Sequence, residues 1–492
     1  MSVKNHVLVA VVAAALQIGP SFPALAQSGE IITKQYDTGG VYEGEFLNGM
    51  QHGQGTYRLP NGYEYTGQWV EGRIEGQGEA KFPNGSVYVG AFVNGRPEGQ
   101  GLITFADGGT YEGQWLDGKI TGVGTARYAN EVVYTGDFVD AVHQGFGTMT
   151  SPNGYIYEGQ WVNGIKEGTG KITYPDGAIY EGELVGGERA GTGSLSLPDG
   201  LVYTGQWAGG QINGQGVLVQ PNGDRYEGSM VNGQREGQGI AVYVSGDRYE
   251  GTFLADQRHG QGTFTGTDGY SYTGNWADGK MQGAGQVIYP DGSIYIGEFE
   301  NDLAHGTGTI TYADGSSYTG SWVNGTIEGS GLATYADGLV YEGEFRNAKN
   351  HGTGTMTHED GYQYTGQWVD GLREGQGVAT YSDGTVYSGM FKAGQRDGQG
   401  TIRMPDEPIT LPDGTQGTGH FEYEGNWTAG VINGEGVARY PNGDVYTGVF
   451  KDGQRHGRGT MQYATGDVYD GFWLSGRQAT EEDAAAAGVT SN

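Results

Sequence analysis

The sequence predicts an all-β fold, an elongated, open-ended, single-layer antiparallel meander of about 19 β-hairpin repeats. Three observations predict it. Tyr65-Thr66-Gly67-Gln68-Trp69 has the pattern Tyr, any residue, Gly, any residue, large apolar ring, and the pattern returns on a constant 23-residue step. From Tyr42 it runs in strict step to Tyr387, then resumes at Tyr423, Tyr446 and Tyr469, giving 16 copies and three more. A fixed period of this length is the mark of a repeat architecture that grows in one dimension instead of closing on one core. The second observation is composition. Glycine is 98 of 492 residues, yet it is phased with 34 Tyr, 15 Phe and 9 Trp, whereas disordered chains are poor in aromatics. The third is that each period carries two turn signals separated by short alternating runs, which read as two antiparallel strands.

Residues 1–26 have the three parts of a secretory signal peptide: Lys4 and His6 at the start, the apolar run Val7 to Leu16, and Ala24-Leu25-Ala26 before Gln27. The expected cleavage follows Ala26. The run is too short to cross a bilayer as a helix, and Pro20 and Pro23 follow it. Residues 27–41 form a lead-in, where Ile31 to Tyr36 reads as a half-repeat strand capping the first unit.

The array occupies 42–476. In the unit from Tyr88, Asn94-Gly95 and Asp107-Gly108 are the turns, since glycine tolerates the positive φ of tight hairpins and Asn or Asp tolerates it next best. Side chains alternate along a strand. Tyr88, Gly90 and Phe92 therefore share one face with Gly99, Gly101, Ile103 and Phe105, and the other face carries polar residues and Val. Mid-strand glycine weakens a strand unless something approaches closely. The expectation is that Tyr and Trp rings lie flat over bare backbone and cover a one-layer sheet. The structural aromatics so identified are Tyr42, Tyr65, Trp69, Tyr88, Phe92, Tyr111, Trp115, Tyr157, Trp161, Tyr203, Trp207, Tyr272, Trp276, Tyr318, Trp322, Tyr364, Trp368, Tyr423 and Trp427. All nine tryptophans stand four residues after the repeat Tyr, alternating with Phe in a 46-residue superperiod whose weak slots are Leu184 and Met230.

The motif Tyr-x-Gly-x-(Phe/Trp), then Gly-x-x-x-Gly-x-Gly, then Asp/Asn-Gly, at a 23-residue step over 42–476, resembles the MORN (membrane occupation and recognition nexus) repeat. The resemblance implies a twisted, open-edged meander of hairpins in an exported bacterial protein. It also implies a role as a scaffold, a dimerising element or an accessory arm near membranes. It transfers no lipid-binding residue.

Between Tyr387 and Tyr423 the step lengthens to 36, which places a 13-residue insertion within about 404–420. A hairpin lengthened beyond the sheet surface is expected. The last unit, from Tyr469, shows no second strand, and 477–492 reads as a polar tail forming a short helix over the open edge or fraying.

Candidate chemistry is sparse. His52, His259, His305, His351 and His456 share one slot, filled elsewhere by Glu75, Glu98, Glu167, Glu236, Glu328 and Glu374. Two repeats separate several of them by about 19 Å at ~4.8 Å per strand, too far to share a metal, so a polar hairpin position is expected. The Gly-x-Gly pairs are not phosphate loops, because no helix and no Gly-Lys-Ser/Thr follows. One Asp per turn falls short of a calcium loop, leaving only weak divalent-cation bridging. No cysteine is present, which excludes disulfides and thiolate chemistry. No nucleophile–base–acid set is visible, so no enzyme, cofactor or metal is expected.

The formal charge of −31 disfavours nucleic acid and anionic lipid and favours basic partners. The expected role is a periplasmic or secreted scaffold that binds protein partners, or itself as a homodimer, along an extended β surface. The alternative is a module binding envelope polysaccharide, through rows of Trp and Tyr, or a lipid surface.

Overall fold

A computed structural model describes residues 30–410 and 414–489; the leader reading on 1–26 lies outside the described residues. The chain divides into two units, up to Gly191 and from Thr192 onward.

Within each unit the repeat is the same. A seven-residue strand and a nine-residue strand alternate, as in Val87–Val93 followed by Arg96–Thr104. Each pairs antiparallel with its chain neighbours, so each unit is a single-layer meander of hairpins. Asn94 and Gly95 both have positive φ, 49° and 76°. That is the two-residue turn whose twist matches the strands it joins. The second connection has five residues. Phe105 donates its N–H to Gly109 O at 2.8 Å, and Asp107 Oδ1 accepts from Gly109 N at 3.0 Å, closing an Asx turn.

The nine-residue strand carries a feature not expected from the alternation. Gly90 pairs with Gly101, but Phe92 pairs with Pro97. Two extra residues therefore bulge from the longer strand, and Gly99 takes a φ of 68°. An even number of extra residues leaves the faces unchanged, so the predicted face assignment survives the bulge.

The core is one face of one sheet. Gly67 and Gly78 are cross-strand partners, and the Tyr65 ring lies on them. A methyl built on Gly78 would sit 2.4 Å from Tyr65 Cε2 and Oη. Tyr65 Oη reaches across and donates to Gln68 O at 3.0 Å. The same bond recurs from Tyr88, Tyr111, Tyr157, Tyr203, Tyr272, Tyr318, Tyr364 and Tyr423 to the carbonyl three residues on. Tyrosine alone does the covering. The tryptophans, expected to lie over backbone as well, instead tie one unit to the one before it. Trp69 Nε1 donates to Gly55 O at 3.3 Å, one unit back, and Trp161, Trp276 and Trp427 repeat this bond at 3.1 Å.

The lead-in strand Ile32–Gln35 pairs with Val41–Gly44. The insertion forms its own hairpin, Glu407–Thr410 against Gln416–Gly419, while Gln395–Arg403 pairs directly with Glu422–Thr428. The end of the chain corrects the sequence reading. The last unit does have a second strand, Arg477–Ala479, three residues long and paired with Phe472–Leu474. A helix follows at Glu481–Ala486. Thr480 caps it, with Asp483 answering in a capping box, and Ala484 is fully buried. Its low propensity to stand alone at six residues is offset by that cap and by packing on the Val468–Leu474 strand.

Candidate interaction surface

The sequence-identified aromatics fall into one structure. The repeat tyrosines from Tyr42 to Tyr423 are buried, and the nine tryptophans are 2–7 % exposed. Their rings interlock edge-on. Tyr65 meets Trp69 of its own unit at 5.6 Å and Phe92 of the next at 5.0 Å, with interplanar angles of 78° and 80°. Tyr88 repeats this with Phe92 and Trp115 at 5.1 and 5.0 Å, and Tyr364 with Trp368 and Phe391. Edge-to-face geometry sets the positive ring edge on the negative face. Burial pushes the Tyr88, Tyr111, Tyr157, Tyr318, Tyr364 and Tyr423 hydroxyls up to about 12. It raises those of Tyr65, Tyr203 and Tyr272 likewise. The indole row is therefore core, and it offers no ring face for a sugar to stack on.

Arginine seals this core from the hairpin end in several units. The Arg258 guanidinium lies 4.2 Å from the centre of the Trp276 ring and donates to Gly279 O at 2.9 Å. Arg396 over Trp427 and Arg455 over Trp473 repeat both contacts. Stacking plus a carbonyl bond suits a planar, forked donor.

The polar slot shared by His and Glu is a brace. Glu75 Oε2 accepts from Asn94 N at 3.0 Å, and Glu98 Oε2 from Asp117 N at 2.8 Å. Glu167, Glu236, Glu328 and Glu374 do the same for the corresponding turn residue of the following unit. Each unit with glutamate in this slot thus fixes the next unit's turn. Where the slot holds His52, His305 or His351, the buried Nδ1 has no partner. Among the described residues no group of three or more His, Asp or Glu converges as a metal site, and none of their helices is long and apolar enough to cross a membrane.

What remains accessible is periodic. On the face away from the rings, threonines pair across strands, Thr56 with Thr66 at 3.0 Å and Thr309 with Thr319 at 2.9 Å, amid exposed ion pairs such as Arg58–Glu64 at 2.7 Å. Phe146 and Ile296 stand out from it, 58 % and 57 % exposed. The depressions are shallow. One of about 620 Å³ is lined by Trp368, Glu374, Phe391 and Asp397, and another of about 1020 Å³ by Asn426, Glu435, Arg458 and Val489.

Comparison with known proteins agrees with the repeat. The MORN repeat family matches eighteen successive stretches, from 42–62 to 446–468, leaving the unit at Tyr469 beyond the last match. No curated protein matches the chain. Among solved structures, the SAS-4 (dCPAP) TCP domain of Drosophila melanogaster, in complex with a proline-rich motif of Ana2, is similar at 15 % identity, covering 36 % of this chain and 90 % of that one, with a TM-score of 0.23. The TCP10 domain of Danio rerio CPAP is similar at 15 % identity, covering 49 % and 93 %, with a TM-score of 0.17. A streptogramin B lyase shows 11 % identity over 60 % and 91 %, with a TM-score of 0.11. Eighteen family matches along successive Tyr-over-Gly hairpins leave one assignment: the chain belongs to the MORN repeat family.

Proposed function

We propose that the protein is an exported, non-catalytic scaffold that binds protein partners along its repeat surface. The observation that carries this reading is the division of labour within each hairpin. The repeat rings are used within the sheet, tyrosine covering glycine and tryptophan bonding the preceding unit, and the side chains left outside recur on a 23-residue step. Small molecules are taken by concave pockets, whereas a long repetitive surface suits macromolecules. The three-part pattern in 1–26 supports export, and the net charge of −31 favours basic partners over nucleic acid or anionic membrane. The first test places photo-crosslinking residues at Phe146 and Ile296. The scaffold reading expects discrete protein adducts in envelope extract, competed away by unlabelled protein; adducts at neither position would overturn it. N-terminal sequencing of the secreted fraction tests export, with Gln27 as the expected first residue and an intact Met1 as the contrary result.

A further inference from the structure

At the end of each hairpin opposite the Asn-Gly turn, a second row of rings follows the nine-residue strands. In several repeats the space beside the ring is filled by a second ring. Tyr270 packs on Tyr289 with ring centres 6.2 Å apart, and Tyr362 on Tyr381 at 5.6 Å. Between three successive rings of the second unit that filling is absent. Tyr289, Tyr312 and Tyr335 stand at successive repeats, and the positions between them are Ser293 and Ser316. Ser293 is 3 % exposed, a small floor, while Tyr312 and Tyr335 are 39 % and 40 % exposed. The result is a comb of rings with open gaps, lying wholly within the second unit.

The comb occurs twice. Nine repeat steps earlier in the sequence stand Phe82, Phe105 and Tyr128, with Ser86 and Gly109 as floors. This copy opens the same way, on a packed pair, Tyr63 and Phe82 at 6.0 Å. Phe105 and Tyr128 are 38 % and 42 % exposed and Ser86 is 3 % exposed. A cleft of about 620 Å³ bordered by Asp107, Arg127, Tyr128 and Pro152 adjoins it.

Spacing and charge select an occupant. Neighbouring rings lie two strands apart, about 9.6 Å at ~4.8 Å per strand. A polyproline II helix advances about 9.3 Å per three-residue turn. Three rings therefore keep register with a segment bearing proline at every third residue, each proline entering a gap floored by serine. Aromatic-lined grooves take such segments because their conformation is already ordered. From Met281 to Phe345 the chain has nine Asp or Glu and no Lys or Arg. Asp291, Asp314 and Asp337 stand exposed beside the three rings, and each Oδ1 accepts the amide two residues on, which holds the carboxylate in place. The copy at Phe82–Tyr128 has Arg96, Lys119 and Arg127 within it and lacks that field.

We propose that Tyr289, Tyr312 and Tyr335 form a docking site for a basic, proline-rich protein segment in polyproline II conformation. This rests on the protein-binding reading above and names the chemistry of one partner. The test is fluorescence polarisation with the full chain and a labelled synthetic peptide carrying proline at every third position and arginine between. Saturable binding is expected. The pair Tyr312→Ser and Tyr335→Ser should weaken it about tenfold or more, as removal of aromatic anchors does. Ser316→Leu should do the same by filling a gap, with an unchanged circular dichroism spectrum, since Leu201 and Leu339 occupy that slot in other repeats. The pair Phe105→Ser and Tyr128→Ser should change binding less than twofold. Equal binding of a peptide with alanine for proline would overturn the proposal by reducing it to charge. So would wild-type affinity in the Tyr312/Tyr335 variant, or loss in that variant of neutral oligosaccharide binding without loss of peptide. If that variant keeps the adducts at Phe146 and Ile296 but the peptide never binds, this docking site falls and the scaffold reading stands.

Discussion

Gly78 has an ordinary extended φ, so alanine there costs no backbone strain, and by restricting the unfolded chain it would by itself favour folding slightly. What forbids it is Tyr65. The added methyl would meet the ring at 2.4 Å, more than about 1 Å inside the ~3.5–4.0 Å at which carbon atoms rest. The opposing Gly67 strand cannot yield, because the two backbones are already paired. The ring must lift. Lifting breaks the Tyr65 Oη bond to Gln68 O, about 1 kcal/mol, and two edge contacts, to Trp69 and Phe92, about 0.5–1.5 kcal/mol each. Gly78→Ala should therefore cost about 2–4 kcal/mol by these terms together. In a Tyr65→Leu background, with no ring over the glycine, the same change should cost less than about 0.5 kcal/mol. A repeat array need not unfold in one step. The assay is accordingly hydrogen exchange followed by mass spectrometry, read on the peptides spanning residues 64–81. Equal costs in the two backgrounds would assign the penalty to the backbone and not to the ring.

Two further outcomes follow from the same geometry. Arg258→Met should lower the local stability of the Trp276 unit by about 1–2 kcal/mol, the sum of a partly desolvated cation–π contact and one carbonyl bond, and fluorescence quenching of Trp276 by acrylamide should rise; methionine already fills this slot as Met281. Replacing residues 405–420 by Pro-Asp-Gly, the connection used between Tyr289 and Ser293, should leave the thermal midpoint within about 2 °C, because Met404 N already bonds Phe421 O at 2.8 Å as the closing pair of an ordinary turn. A large drop would show that the inserted hairpin supports the sheet.

The period, the turn chemistry and the pairing of Tyr with glycine were legible because each is local. Tyr65 and Gly67 are neighbours on one strand face, and Asn94-Gly95 announces its own positive φ. The bulge at Gly99 was not, because it exists only as a mismatch between Gly90–Gly101 and Phe92–Pro97 and needs the partner strand's register. Nor was the brace, since Glu75 acts on the amide of Asn94 in the following unit's turn, and alternation within a strand says nothing of contacts between units. The tryptophan bond to a glycine carbonyl of the preceding unit was equally hidden, because it needs the register that sets Trp69 opposite Gly53 on the neighbouring strand. The Tyr289–Tyr335 comb did have a signal in the sequence: small residues at one slot in two runs nine repeats apart. The signal is faint because the ring position itself varies, holding Leu59, Ser151, Leu197 and Gln220 in other repeats, so no strict period marks it.

A one-layer sheet here carries its own core, tyrosine sealed against glycine. Spectrophotometric titration of the tyrosines at 295 nm, paired with far-ultraviolet circular dichroism, tests it most directly. Burial raises the repeat tyrosines from Tyr42 to Tyr446 above the ordinary value of 10, several to about 12. Their contribution to stability is thus complete below pH 10 and is lost as pH climbs from 10 to about 12. These eighteen of the 34 tyrosines should stay protonated past pH 10 and ionise together, in the same step that abolishes the β spectrum. A smooth titration of all tyrosines near pH 10 with the β spectrum intact would contradict a sealed core.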